Sequence, residues 1–291
     1  MRLLALLLAT CALTLYAAKD PFTATVSNIQ PNRIPLTIHK GNNLQTLQAT
    51  INGIPCTLLF DTGATHTTFN RSFIKKHFPN APLLGDLAFQ NTNVAMPTER
   101  FHVERLTLGN TDLCDFTAIV VPLDHLSKAV GTPIDGILGM NNIRYAPLIM
   151  ALKDGWIAWS PNLPKRPSAI PLPNAPHPNP LTLTLYAHSG APQSPRVGYP
   201  LLVDTGSSYT FVPEECWPAA DQTIAMSTSD VNAGQTETFR RGKSGPLFIG
   251  PKRFTIAPFF GTNQRYQLGA DIMIKHTFFL DPKTNTLFFI Q

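Results

Sequence analysis

Apolar residues in this chain fall in short runs rich in Val, Ile, Leu, Phe and Thr, each punctuated by Gly, Pro or Asn. Leu47 to Ile51, Thr57 to Phe60, Ala118 to Val121 and Trp156 to Trp159 are examples, and the pattern predicts an all-β protein. Three brief segments read as helical: Ser72 to Phe78 behind an Asn70 cap, Asp124 to Val130, and Pro213 to Ala219 with proline in its first turn. One apolar run is of another kind. Leu3 to Ala9 follows Arg2 and leads to small residues at Ala17 and Ala18 before Lys19-Asp20, the layout of a secretory signal over residues 1–18. Leu3 to Ala18 is shorter than the roughly 20 residues that span a bilayer. Export is therefore expected, to the periplasm, the cell surface or the medium, with membrane contact only through this signal or through lipidation at Cys11.

Residues 161–180 hold eight prolines in twenty positions, too few donors for a central strand or a helix interior. They read as a linker between residues 19–160 and 181–291, and those two flanks repeat each other. Leu58-Leu59-Phe60-Asp61-Thr62-Gly63-Ala64-Thr65 is matched by Leu201-Leu202-Val203-Asp204-Thr205-Gly206-Ser207-Ser208 at an offset of 143. Leu106-Thr107-Leu108-Gly109 matches Leu247-Phe248-Ile249-Gly250 at 141, and Leu138-Gly139 matches Leu268-Gly269 at 130. At that last offset Leu148-Ile149 falls on Phe278-Phe279, and Ile157-Ala158-Trp159 on Leu287-Phe288-Phe289. Blocks in this order and near-constant spacing argue for a duplication.

Composition narrows the function classes. The 291 residues suffice for two domains, each expected to bury its own core. A net charge of +5 is mild, and Arg240-Arg241, Lys243 and Lys252-Arg253 read as solvated surface, so no nucleic-acid partner is expected. Cys56, Cys114 and Cys216 follow the signal; Cys56 with Cys114 is one pairing, buried free thiols the alternative. No Cys-x-x-Cys or His-Glu-x-x-His occurs, which leaves no support for a metal or a cofactor. Gly242-Lys243-Ser244 lacks the earlier glycine of a phosphate loop, because residue 237 is Glu237, and no Gly-x-Ser-x-Gly elbow exists.

The chemistry lies in the repeated Asp-Thr-Gly. In each half an apolar strand carries the backbone through the interior, the glycine permits a turn with no room for a Cβ, and the aspartate stands at its tip. Two such turns meeting across a pseudo-twofold axis would bring Asp61 and Asp204 together. Their structural alternative is a pair of ordinary turns whose side chains cap local backbone groups.

Through Asp61-Thr62-Gly63-Ala64 and Asp204-Thr205-Gly206-Ser207 the sequence resembles the two-lobed aspartic peptidases, the pepsin and retropepsin group, over about residues 36–160 and 181–291. Ile137-Leu138-Gly139 is similar to that family's hydrophobic-hydrophobic-Gly segment, which braces the active-site loop; Gln267-Leu268-Gly269 keeps Leu-Gly but begins with a polar residue. The resemblance implies two homologous β-barrel-like lobes with short helices and an active site in the cleft between them. It implies an aspartic endopeptidase acting on polypeptides, with no metal, and a monomer as the active unit. Two carboxylates about 3 Å apart hold one shared proton, the ionised one activates a water, and the protonated one stabilises the oxyanion. By the same resemblance Thr62 and Thr205 would bridge the loops, and Gly63 and Gly206 would let backbone N–H groups approach the carboxylates.

Three departures follow from the resemblance. No tyrosine occupies the expected flap region, about Leu83 to Glu104; the turn-prone Asn91, Thr92 and Asn93 in the first half and Asn232, Ala233 and Gly234 in the second are candidate hairpin tips. About 17 residues separate the signal from Leu36, so no long basic propeptide is expected. Ala64 stands where many relatives carry a hydroxyl that hydrogen-bonds a carboxylate, whereas Ser207 retains one, which predicts a less acidic pH optimum. His66 reads as a strand-surface histidine, Trp156 and Trp159 as packing residues, and Asn70-Arg71-Ser72 as a glycosylation acceptor in a eukaryotic pathway. The rival reading is a catalytically silent extracellular binding or inhibitor protein on the same fold.

Overall fold

The computed structural model describes residues 20–28, 32–91, 94–160, 169–190, 198–217, 220–227, 236–260 and 266–291. The signal segment and the hairpin-tip candidates Thr92, Asn93, Asn232, Ala233 and Gly234 lie outside them. Strands dominate, and two lobes are joined by a shared sheet.

In the first lobe Thr111–Val121, Thr68–Asn70, Gly136–Leu138, Ile54–Phe60, Gln45–Ile51 and Val94–Leu108 pair in that order, and the last pairs with the first, closing a six-stranded barrel. Gln45–Ile51 and Ile54–Phe60 are joined by Asn52-Gly53, both at positive φ (47° and 84°), the two-residue turn that Asn-Gly favours. The second lobe repeats the arrangement without closing it, among the described residues. Its order is Thr184–Ala187, Tyr199–Val203, Gln267–Leu268, Phe211–Val212, Phe259–Phe260, Thr236–Gly242, Ala220–Ser227. A separate hairpin, Gly245–Ile249 with Lys252–Ile256, packs beside it.

The third sheet joins the lobes. Its order is Ala169–Pro171, Thr286–Ile290, Thr277–Asp281, Leu148–Ala151, Trp156–Trp159, Ile34–Pro35. Leu148 pairs with Trp159 and Met150 with Ile157; 130 residues on, Phe278 pairs with Phe289 and Leu280 with Leu287. The two hairpins meet antiparallel with Ile149 opposite Phe279, its own counterpart at that offset, so the pseudo-twofold axis passes through this pair. Ala169–Pro171, inside the proline-rich segment, forms an edge strand, where a missing donor can face outward.

This shared sheet corrects the expectation of two separate cores. One cluster of buried apolar side chains runs through both lobes, from Leu58, Phe60 and Phe116 through Met150, Trp159 and Phe278 to Leu201 and Leu247. A smaller cluster, with Leu59, Ile119, Leu126, Val130 and Ile137, lies between the first barrel and its second helix.

The helices are Arg71–His77 and Asp124–Val130, with one-turn helices Met140–Ile143 and Ala270–Met273. The Asn70 side chain accepts from the Ser72 and Leu123 amides and donates to Asp124, so it ties the first two helices together. Buried and committed in this way, Asn70 is no glycan acceptor in the folded protein. The helix expected over Pro213 to Ala219 is only a 3₁₀ turn, Glu214–Cys216. Trp217 precedes Pro218 and is extended (φ −122°, ψ 141°), as a residue before proline must tend to be. The Cys56–Cys114 bridge is not formed, because two strands separate theirs in either direction round the barrel; Cys56 and Cys216 are free thiols, both buried. Burial pushes the Cys56 thiol up to about 12. Among the described residues no helix is long and apolar enough to cross a membrane.

Candidate active site

Each aspartate follows its strand directly. The Asp61 amide donates to the Leu138 carbonyl (3.2 Å) and the Asp204 amide to that of Leu268 (3.0 Å). Those carbonyls end strands running parallel to the aspartate strands, with Leu138 beside Phe60 and Leu268 beside Val203. Both hydrophobic-hydrophobic-Gly segments thus brace an aspartate turn, the Gln267 copy included. A Cβ on Gly139 would stand 2.4 Å from the His66 carbonyl carbon, and one on Gly269 2.2 Å from the Tyr209 carbonyl oxygen, so close contact demands both glycines.

The two turns are locked reciprocally. Thr62 donates its hydroxyl to the Val203 carbonyl (2.8 Å) and accepts from the Thr205 amide (3.0 Å); Thr205 donates to the Phe60 carbonyl (2.8 Å) and accepts from the Thr62 amide (3.0 Å). All four groups are buried, so each hydroxyl satisfies a donor and an acceptor that water cannot reach. Gly63 and Gly206 serve a purpose beyond admitting amides. A Cβ on Gly63 would lie 2.4 Å from Asp204 Cγ, and one on Gly206 2.3 Å from Asp61 Cγ. Each glycine makes room for the carboxyl of the opposite lobe.

The carboxyls are hydrogen-bonded to one another, and burial pushes both above the ordinary carboxylate range. Asp61 is held down by the amides of Ala64 (3.0 Å) and Gly63 (2.8 Å) and by the proton of Asp204. Asp204 is raised further by the negative charge of Asp61, and the Gly206 amide (2.9 Å) opposes that only in part. The pair titrates as a unit, with one proton shared between its two members. Two half-buried carboxyls with one proton between them can take a proton from water on one side and give a hydrogen bond on the other.

Ser207 differs from expectation. Its hydroxyl donates to the Tyr209 carbonyl (2.9 Å) and accepts from the side-chain amide of Gln267; it does not face the Asp204 carboxyl.

Behind each turn stands a polar support that the motif reading did not include. Thr67 accepts from the Gly139 amide (3.2 Å), and Asn141 accepts from the Thr67 amide (2.7 Å). In the second lobe Thr210 accepts from the Gly269 amide (3.0 Å) and donates to Asp271 (2.7 Å). The repeat offsets, 143 for the threonines and 130 for Asn141 and Asp271, were the available signal. Burial raises the Asp271 carboxyl, against the Thr210 hydrogen bond and the charge of Lys275. His66 is not on a strand surface: it is half-buried, its ring edge-on to Phe22 at 4.9 Å, and burial lowers its pKa. Asn141 also donates to the Phe22 carbonyl and Asn142 accepts from the Ala24 amide (3.2 Å), so the segment around Phe22 and Ala24 packs against the back of the first turn.

Of the flap candidates, Asn91 ends the strand Leu84–Asn91, opposite Val94 in an antiparallel hairpin with Val94–Leu108. In the second lobe Ala220–Ser227 and Thr236–Gly242 form the corresponding hairpin, with Ser227 opposite Thr236. Among the described residues no group of three or more His, Cys, Asp or Glu side chains could hold a metal ion.

Residues 47–142 match the family model described as aspartyl protease. The match takes in most of the first barrel, with Asp61-Thr62-Gly63-Ala64 and Ile137-Leu138-Gly139, and it supports an aspartic peptidase. No curated protein matches the chain.

Proposed function

We propose that this protein is an exported aspartic endopeptidase, active as a monomer, in which a water held between Asp61 and Asp204 attacks the scissile carbonyl of a polypeptide. The observation that carries the reading is the hydrogen-bonded, half-buried carboxyl pair, one member from each half of the chain. Asp61, with two backbone amides and the proton of Asp204 stabilising its charge, is the base that takes the water's proton. Asp204 donates to the developing oxyanion. Thr62, Thr205 and the four glycines hold the carboxyls in register, and the hairpins ending near Asn91 and Ser227 are the candidate covers of the substrate. Export rests on the layout of residues 1–18, and the monomer on one chain supplying both aspartates.

The test is cleavage of denatured casein. Wild-type protein should cleave it, a statine-type mimic should inhibit, and a chelator should leave the rate unchanged. Asp61→Asn and Asp204→Asn should each lose at least about 10²-fold to 10⁴-fold in kcat/KM, the scale of a removed general acid or base. Near wild-type activity in either pure variant would refute the assignment. A folded wild-type protein that binds peptides without cutting them would favour a silent binding protein.

A further inference from the structure

We propose that Gln267 is a positioning residue for the carboxyl pair: it holds the Ser207 hydroxyl on the Tyr209 carbonyl and so keeps that hydroxyl off Asp204. The inference rests on reading Asp61 and Asp204 as the catalytic pair.

A serine hydroxyl has one proton to give. Here it goes to the Tyr209 carbonyl at 2.9 Å, while the Gln267 side-chain amide donates to the serine's own oxygen. Held at two points, the hydroxyl has nothing left for the carboxyl three residues before it. Asp204 therefore receives backbone donors, the amides of Gly206 and Ser207, and no hydroxyl.

The first lobe reaches the same end by other residues. Position 64 is alanine and has no hydroxyl, and it packs against the apolar cluster that contains Ile137, the counterpart of Gln267 at an offset of 130. Asp61 likewise receives backbone donors, the amides of Ala64, Gly63 and Gly206, besides its partner's carboxyl. Ala64 with Ile137 and Ser207 with Gln267 are two solutions, one apolar and one polar, to one requirement: a carboxyl pair without hydroxyl donors. A hydroxyl that reached Asp204 would stabilise its ionised form and draw the shared proton away from it.

The ionisable groups around the pair are few. Asp61 faces Asp204 directly; the Tyr209 ring packs on Phe259 and the Tyr266 ring near Tyr199; Asp271 accepts from Thr210; His66 lies behind the first turn.

The experiment titrates the pair directly, by NMR of Asp carboxyl carbons in labelled protein, beside the pH profile of kcat/KM on casein-derived peptide. Gln267→Ile frees the Ser207 hydroxyl to turn toward Asp204, and the lower pKa of the pair should fall by about half to one pH unit. Ser207→Ala, and the double variant Gln267→Ile with Ser207→Ala, should titrate at the wild-type position. An unmoved titration in Gln267→Ile, or the same fall in the double variant, would overturn the proposal. If Gln267→Ile does not fold, Ser207→Ala alone decides: an upward shift would mean that the hydroxyl already serves Asp204. Because the carboxyls are read without turnover, a protein that titrates as expected but cleaves nothing would defeat the peptidase reading and leave the Gln267 contact standing.

Discussion

The two lobes present their aspartates through one backbone design and surround them differently. The threonine interlock, the paired glycines and the parallel brace strands superimpose by sequence offset, yet the first barrel is closed and the second sheet is open among the described residues. Between the second and third repeated blocks the offset drops from 141 to 130, so the second half is 11 residues shorter there. That stretch in the first half includes the helix Asp124–Val130, whose Leu126 and Val130 share an apolar cluster with Ile137. Where a helix covers the brace strand the residue is isoleucine; its half-buried counterpart is Gln267, paired with a serine. Backbone geometry at the carboxyls tolerates no drift, whereas the packing behind it follows whatever each lobe supplies.

The largest expected effect tests the shared part. Gly63→Ala and Gly206→Ala each drive a methyl into the opposite carboxyl, and both should lower kcat by about 10²-fold or more, the cost of misplacing a reacting group by about 1 Å. Equal losses in steady-state assays support the symmetric frame, and one tolerated alanine would break it. Next, Thr62→Val and Thr205→Val should each destabilise the fold by about 1–3 kcal/mol for each buried group left without a partner. Urea unfolding of the double variant should show a loss smaller than the sum, because both threonines serve one network.

How legible these features were depends on how local their cause is. Asp61 and Asp204 stand in contiguous motifs at the ends of apolar runs, and the strands around them follow from their own residues. Ile34–Pro35 and Ala169–Pro171 are strands only because a distant hairpin edge receives them, and no window of sequence contains that edge. Asn141 and Asp271 look like ordinary polar residues after a glycine; their role exists only once Thr67 and Thr210 are brought to them. The direction of the Ser207 hydroxyl was set by Gln267, 60 residues away, and the motif alone pointed it at the wrong acceptor.

The smaller effects sharpen the differences between lobes. Asp271, where the first lobe has Asn141, has a folded pKa raised above its ordinary value. Its burial therefore costs nothing below the ordinary carboxylate pKa of 3.8, and stability is lost as pH rises from there through the raised folded value. Asp271→Asn should flatten that loss, seen as a smaller fall in urea midpoint between acid and neutral pH than wild type shows; parallel curves would contradict it. The smallest effect concerns Ala64. Ala64→Ser, with no glutamine to hold the new hydroxyl, should move the acid limb of kcat/KM down by about half a pH unit. Adding Ile137→Gln should move it back, and a limb indifferent to both changes would deny that these positions set proton affinity.

The sheet that joins the lobes has a consequence for the order of events during synthesis. Leu148–Ala151 has no partner on one side until Thr277–Asp281 emerges, and Asp61 has no counterpart until Asp204 does. At about 5–20 residues per second the second aspartate follows the first by roughly 7–30 s, and the strand that fixes the lobes against each other comes later still. For that interval the first barrel can be complete and yet incapable of hydrolysis. The ribosome would carry a nascent chain whose carboxyl pair exists only in halves, a delay that arises from chain order alone.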